Sequence, residues 1–206
     1  MARVLTQFNS DGAVPSLRDA VRRHASNLPV VDAQQLPSWL PALAHPPAGW
    51  VIGQLDPGVG PTRIVLRRNL SDDSWDCCAI LNLYAFTGSV PSEVIEAETA
   101  STLRAISANF RGSWLVAVPA RDGLHVDAAS AAGEFLLGGR KLHGQYTAYL
   151  VQTEHAAASN HHNAAPVRGA LIEHNIFSAV HTDTRTRREL TDMDDAVLTA
   201  LRRAVE

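Results

Sequence analysis

Between Asp76 and Thr87 the chain is apolar at almost every position, with Cys78, Ile80, Tyr84 and Phe86 at one parity and Cys77, Ala79, Leu81, Leu83 and Ala85 at the other. Successive side chains of a strand point to opposite faces, so this segment can be a strand only if the sheet around it is covered on both sides. The segment is also bounded by turn chemistry, Ser71-Asp-Asp-Ser74 before it and Gly88 after it. A sheet with a layer on each face is therefore the expectation from which the rest is read.

The flanking segments supply more strands. Trp50 to Leu55 and Arg63 to Leu70 alternate in polarity and are separated by Asp56-Pro-Gly-Val-Gly-Pro61, and short turns of this kind join antiparallel neighbours. Alternation returns in Ser113 to Ala120, in Leu124 to Ser130 with an extension through Glu134 to Leu137 and a bulge at Gly133, in Leu142 to Gln152, and in Val167 to His181. Helical periodicity governs three other stretches. Ser16 to Leu28 carries Leu17, Ala20, Val21, His24, Ala25 and Leu28 on one stripe, with Ser16 and Asp19 spaced as a capping box. Pro91 to Phe110 carries Ile95, Thr99, Leu103, Ile106 and Phe110, and Thr191 to Glu206 carries Met193, Val197, Ala200, Leu201 and Ala204, with Thr191 and Asp194 as its expected capping pair. The sum is an α+β chain: a mainly antiparallel sheet of about six to seven strands sandwiched between helices.

At 206 residues and 46% apolar content the chain can furnish one sizeable core, so residues 1–206 are read as a single domain. Residues 1–48, helical and then Pro-rich, pack on a core formed by residues 49–206. Eighteen basic and 21 acidic residues are spread along the chain, which leaves no footprint for nucleic acid or an anionic membrane. No apolar run reaches the roughly 20 residues that a membrane span needs, and the first ten residues show no apolar h-region, so a cytoplasmic location is expected. Abundant Ala, Arg and Val hint at a bacterial gene. Cys77 and Cys78 are adjacent and diverge on a strand, which favours two small buried hydrophobes over a disulfide or a metal pair.

The order of helix, three-strand meander, helix, three strands, last strand and terminal helix resembles the Mog/PsbP-like fold. Within it the chain is similar to actinobacterial LpqN-type proteins, through Pro46-Pro-Ala-Gly-Trp50 opening the first strand, a helix after the third strand, and Gly144-Gln-Tyr-Thr-Ala-Tyr149 in a late strand. The likeness would span Pro46 to Glu206. It implies a binding or accessory role and supplies no catalytic residue. The chain departs from that group in lacking a lipoprotein signal with its processing cysteine, so the resemblance carries no periplasmic location.

Candidate chemistry is sparse. His155, His161 and His162 with Glu154, joined by His174 and His181, hold zinc-type ligand atoms, but no H-x-x-x-H or H-x-E spacing sets two of them on one face. No metal ligand, cofactor-binding residue or catalytic residue is assigned, and no cofactor is expected. No G-x-S-x-G elbow occurs, and Gly58-Val-Gly60 lies between prolines ahead of a strand, as a turn does rather than a phosphate loop. Thr184-Arg-Thr-Arg-Arg188 is a basic cluster neutralised by Glu189, Asp192, Asp194 and Asp195. Among the tryptophans, Trp39, Trp50 and Trp114 suit core positions, and Trp75, in an acidic turn, suits exposure.

Three function classes follow. The first is a non-enzymatic binding or accessory domain that holds a protein partner or a small apolar ligand on the sheet face or in a helix–sheet groove. The second is a hydrolase or metal-dependent enzyme built on the His-rich loop 154–162. The third is a homo-oligomeric structural component that buries a strand edge or helix stripe against another copy.

Overall fold

The computed structural model describes residues 16–32, 46–53, 61–68, 75–137, 140–153 and 168–205. The connector around Trp39, Leu40 and Leu43, the turns at 54–60 and 71–74, and the loop carrying Glu154, His155, His161 and His162 lie outside the described residues.

Seven strands form one antiparallel sheet: β1 (Trp50–Ile52), β2 (Arg63–Arg68), β3 (Trp75–Thr87), β4 (Ser107–Leu115), β5 (Leu124–Leu137), β6 (Arg140–Thr153) and β7 (Arg168–Ala179), in the order β1-β2-β3-β7-β6-β5-β4. The last strand is thus inserted between the two meanders and joins them. β3 is interior, and its two parities go to different cores as its sequence requires. Cys77, Ala79, Leu81 and Leu83 pack in one; Tyr84 and Phe86 pack in the other. Cys77 and Cys78 are buried free thiols. Gly169 sits opposite Phe86 in register, where a Cβ would come within 2.3 Å of the Phe86 ring, so the aromatic uses the space of the missing side chain.

Among the described residues four helices cover the sheet. On one face lie α1 (Leu17–Arg22), α2 (Ser92–Glu98) and α3 (Ser101–Ile106), contributing Leu17, Val21, Ile95 and Leu103 to that core. The capping box at Ser16 is formed, with the Asp19 N–H donating to Ser16 Oγ at 3.2 Å. On the other face lies α4 (Thr184–Val205), which buries Leu190, Met193, Val197, Ala200 and Leu201.

Several sequence expectations need correction. The helix expected over Pro91 to Phe110 is two short helices, because the Thr99 hydroxyl donates to the Ile95 carbonyl at 2.6 Å and the Ser101 hydroxyl to that of Glu98 at 2.6 Å, closing one helix before the next begins. The chain is already extended at Ser107, so β4 starts six residues earlier than the expected Ser113 and ends at Leu115 rather than Ala120. Gly133 pairs in register with Gly144; the irregularities lie in β4, between Phe110 and Gly112 and between Ser107 and Asn109. The terminal helix starts at Thr184, not Thr191. Asp183 accepts from the Thr186 N–H at 2.9 Å, so the cap lies ahead of the Arg-rich run, and Thr191 donates back to the Arg187 carbonyl at 3.1 Å. Trp75 is half-buried, whereas Trp114, expected in the core, is 48% exposed.

Candidate functional site

The terminal helix is shorter than the strands it crosses. Its last turn is tied down by the Arg121 N–H donating to the Val205 carbonyl at 2.7 Å, and beyond that point no helix among the described residues covers the sheet. In register at this end stand Leu83 opposite Ile172, Ala170 opposite Val151, and Val151 opposite Val126. The polypeptide from Ser26 to Val31 runs beside the second half of β3, bridging Thr87 and Tyr84, and the Val31 N–H donates to the Leu83 carbonyl at 2.8 Å. The result is an open groove of about 340 Å³ walled by Val31, Leu83, Leu124, Val151, Leu201 and Val205. Among the described residues its lining is aliphatic apart from Tyr84, and none of it is charged. Pockets that take small ligands are concave and mostly apolar, and this one falls at the small end of their size range, about 300 Å³ upward.

A larger cleft of about 610 Å³ lies at the opposite end of the helix, lined by Asp76, Arg140, Lys141, His181 and Asp183 among others. Charges of both signs meet there and compensate: the Arg140 guanidinium is 3.3 Å from Asp76, and Asp183 is committed to the helix cap, whose N–H and hydroxyl bonds hold its carboxyl below the ordinary range. The Arg-rich run is compensated too, with Arg185 on Glu189 at 3.0 Å and Arg187 on the Val180 carbonyl at 2.8 Å.

Two buried polar clusters lie back to back in mid-sheet. On the α1 side, Glu173 accepts from Asn82 Nδ2 at 2.9 Å and from the Tyr146 hydroxyl, and burial pushes its carboxyl up against those bonds. The Arg18 guanidinium lies over the Tyr84 ring at 4.9 Å beside it. Tyr146 is in turn raised well above the phenol range by burial and by the neighbouring carboxylate. On the α4 side, His174 Nδ1 meets Asp194 Oδ1 at 2.8 Å, and Gln145 donates to the other Asp194 oxygen at 2.9 Å. Ser130 and Thr147 share a hydroxyl contact of 3.0 Å in the adjoining strands.

A His–Asp pair beside two hydroxyls has the residue types of a nucleophilic relay, but the geometry lacks its working end. His174 is fully buried, and its Nε2 has no hydrogen-bond partner among the described residues, so no hydroxyl is set for deprotonation. Of the expected candidate ligands, His174 is under the helix, His181 is exposed at the polar cleft, and the loop residues lie outside the described ones. Among the described residues no three His, Cys, Asp or Glu side chains converge as a metal ion would need. The signal for the buried clusters was present in the sequence as Glu173-His174-Asn175, three polar residues inside an otherwise apolar strand.

Fold and groove together define an α+β protein in which, among the described residues, the helix-covered antiparallel sheet leaves one apolar end open. In comparisons with solved structures the chain is similar to LpqN, a protein involved in cell envelope biogenesis of Mycobacterium tuberculosis, with TM-score 0.57 and 12% identity over 90% of this chain and 95% of that one. The two share a fold. Human STARD10 aligns with TM-score 0.22 and 8% identity over 85% of this chain and 81% of that one, too distant to bear on it. No protein-family model and no curated protein sequence matches the chain. Among the described residues no helix is long and apolar enough to cross a membrane.

Proposed function

We propose that the chain is a non-enzymatic binding domain, folded as a single unit with the Mog/PsbP-like layering its element order resembles, and that it takes a small apolar ligand in the groove past the end of the terminal helix. The observation that carries this reading is the contrast between the two concavities. The polar cleft is internally compensated, whereas the groove offers an aliphatic surface that nothing among the described residues covers. Burying such surface in a ligand yields roughly 25 cal/mol per Å² removed from water, without any demand for converging polar groups.

The test is a titration with N-phenylnaphthylamine, a dye that fluoresces on entering apolar sites, followed by displacement with decanoic acid. Ala204 lies half-buried on the groove wall. Ala204→Trp fills the space from the helix side while leaving the buried stripe intact, so dye binding should fall at least about tenfold with the melting temperature preserved. Equal binding by wild type and variant, or no binding by either, would remove the groove from the account.

A further inference from the structure

Four large apolar side chains are exposed among the described residues: Val51 at 51%, Ile52 at 41%, Trp114 at 48% and Leu115 at 64%. All four lie on the two outermost strands, and the larger pair is on β4. An edge strand exposes unpaired N–H and C=O groups, and monomeric proteins normally protect such an edge with charge, especially lysine. From Gly112 to Ala120 this chain has no charged residue at all.

The backbone limits what is available on that edge. The Val116 N–H donates to the Ala128 carbonyl at 2.8 Å, so antiparallel alternation turns the groups of Trp114 and Val116 inward to β5 and those of Ser113 and Leu115 outward. On one side of this window the register breaks between Phe110 and Gly112, where Gly112 has φ +147°. On the other side the Ala117 carbonyl accepts from Arg202 at 3.2 Å. What remains open among the described residues is Ser113–Leu115, a window symmetric about Trp114.

Its exposed side chains also restrict the occupant. Trp114 and Leu115 are adjacent on a strand and point to opposite faces of the sheet, so a flat apolar surface such as a bilayer can cover only one of them. A second strand laid along the edge covers both, because its own side chains alternate across the same two faces. We infer that the β4 edge is the interface with a second copy of this chain, paired antiparallel about a two-fold axis through Trp114.

In that register Ser113 exchanges both of its edge hydrogen bonds with Leu115 of the copy, and Leu115 with Ser113. Trp114 faces its equivalent as a non-hydrogen-bonded pair, the arrangement that brings side chains closest. The one charged residue of the outer strand end, Arg111, is drawn back to Glu134, so no like charges oppose each other. The two-fold closes on itself and joins two seven-stranded sheets into one. None of the groove residues lies in the Ser113–Leu115 window, and the inference stands whether or not the groove binds a ligand.

Sedimentation velocity across a concentration series on the full chain tests it. Wild type should pass from monomer to dimer, and Leu115→Lys, which places the missing edge charge at an exposed position, should raise the dissociation constant at least about tenfold with an unchanged melting temperature. Under mild oxidation Trp114→Cys should cross-link to a disulfide dimer, since residues directly opposite in a non-hydrogen-bonded pair sit about 4.5 Å apart at Cα, within disulfide reach. Ser113→Cys should not, because its equivalent lies off the axis. A wild type that remains monomeric at about millimolar concentration, or a dimer that Leu115→Lys leaves intact, or cross-linking by Ser113→Cys and not by Trp114→Cys, overturns the inference.

Discussion

Glu173 and His174 are consecutive in one strand, yet the sheet sends them to opposite faces, and the two faces use buried polar groups for different ends. Under the short helices, the polar contacts run from strand to strand: Asn82 of β3 and Tyr146 of β6 both donate to Glu173 of β7. Under the long helix, beside the Ser130–Thr147 contact between strands, they run from helix to sheet: Asp194 reaches His174 and Gln145, and Glu189 reaches Trp50 and Arg67. One set fixes the order of the strands, and the other fixes how a single amphipathic helix is seated. The lesson concerns cover. A face roofed by several short pieces can close around a strand network, whereas one rigid helix gives no cover past its end, and among the described residues that is where the groove lies.

The largest test of this comparison is Leu201→Asp. Leu201 is 1% exposed under α4 near the groove, so the substitution buries an unpaired carboxylate and removes apolar contact at once. The expected loss is about 3–5 kcal/mol, comparable with the whole margin of a small domain. Urea unfolding should show the midpoint falling steeply. If the midpoint moved only slightly, the helix would be held by its polar contacts and not by its stripe, and the contrast between the faces would reverse.

That stripe was legible from sequence because Met193, Val197, Ala200 and Leu201 repeat at helical spacing over an uninterrupted segment, and β3 was legible because both parities are apolar. The Ser16–Asp19 capping box was equally local. What could not be read was a competing local hydrogen bond, or whatever depends on partners distant in sequence. Thr99 and Ser101 continue a helical pattern in composition, but their hydroxyls end the turn instead, a choice that periodicity does not record. The insertion of β7 between β3 and β6 leaves no local trace. The groove residues come from six separate segments, so no spacing could have announced them, and Trp114 was assigned to the core because a tryptophan in an alternating strand usually lies there.

A smaller effect is expected at Glu189, where two of the links from the helix, to β1 and to β2, converge. The Trp50 indole donates to it at 2.8 Å, and Arg67 pairs with the same oxygen. Burial pushes this carboxyl up, but the Trp50 and Arg185 hydrogen bonds and the Arg67 charge outweigh it and hold it below its ordinary value. Glu189→Ala should cost about 2 kcal/mol near neutral pH, in the range of hydrogen bonds to a charged group. Its pH dependence has a fixed sign. A carboxyl lowered by folding contributes fully above the unfolded carboxyl range and loses that contribution as pH falls through the folded value. The variant and wild-type stability curves should therefore converge in acid and separate as pH rises.

Glu173 sharpens the same comparison from the other face, with the smallest expected change and the opposite pH sign. Burial is the dominant influence on its carboxyl and pushes it up, while Tyr146 and Asn82 offset only part of that effect. A carboxyl raised by folding binds its proton more tightly in the native state than in the unfolded chain. Its favourable contribution is therefore present below the unfolded carboxyl range and disappears as pH climbs through the raised native value. Glu173→Gln keeps the shape and an accepting oxygen, and its amide can donate where the protonated acid would, toward neighbours that include Asn175, whose Oδ1 has no partner among the described residues. At low pH the variant should match wild type within about 1 kcal/mol, and it should become the more stable of the two as pH rises. Denaturant midpoints of both proteins at a series of pH values measure this directly. If Glu173→Gln lost stability at every pH, the buried carboxylate would be a net contributor to strand order in its charged form, and the two faces would use their glutamates in the same way.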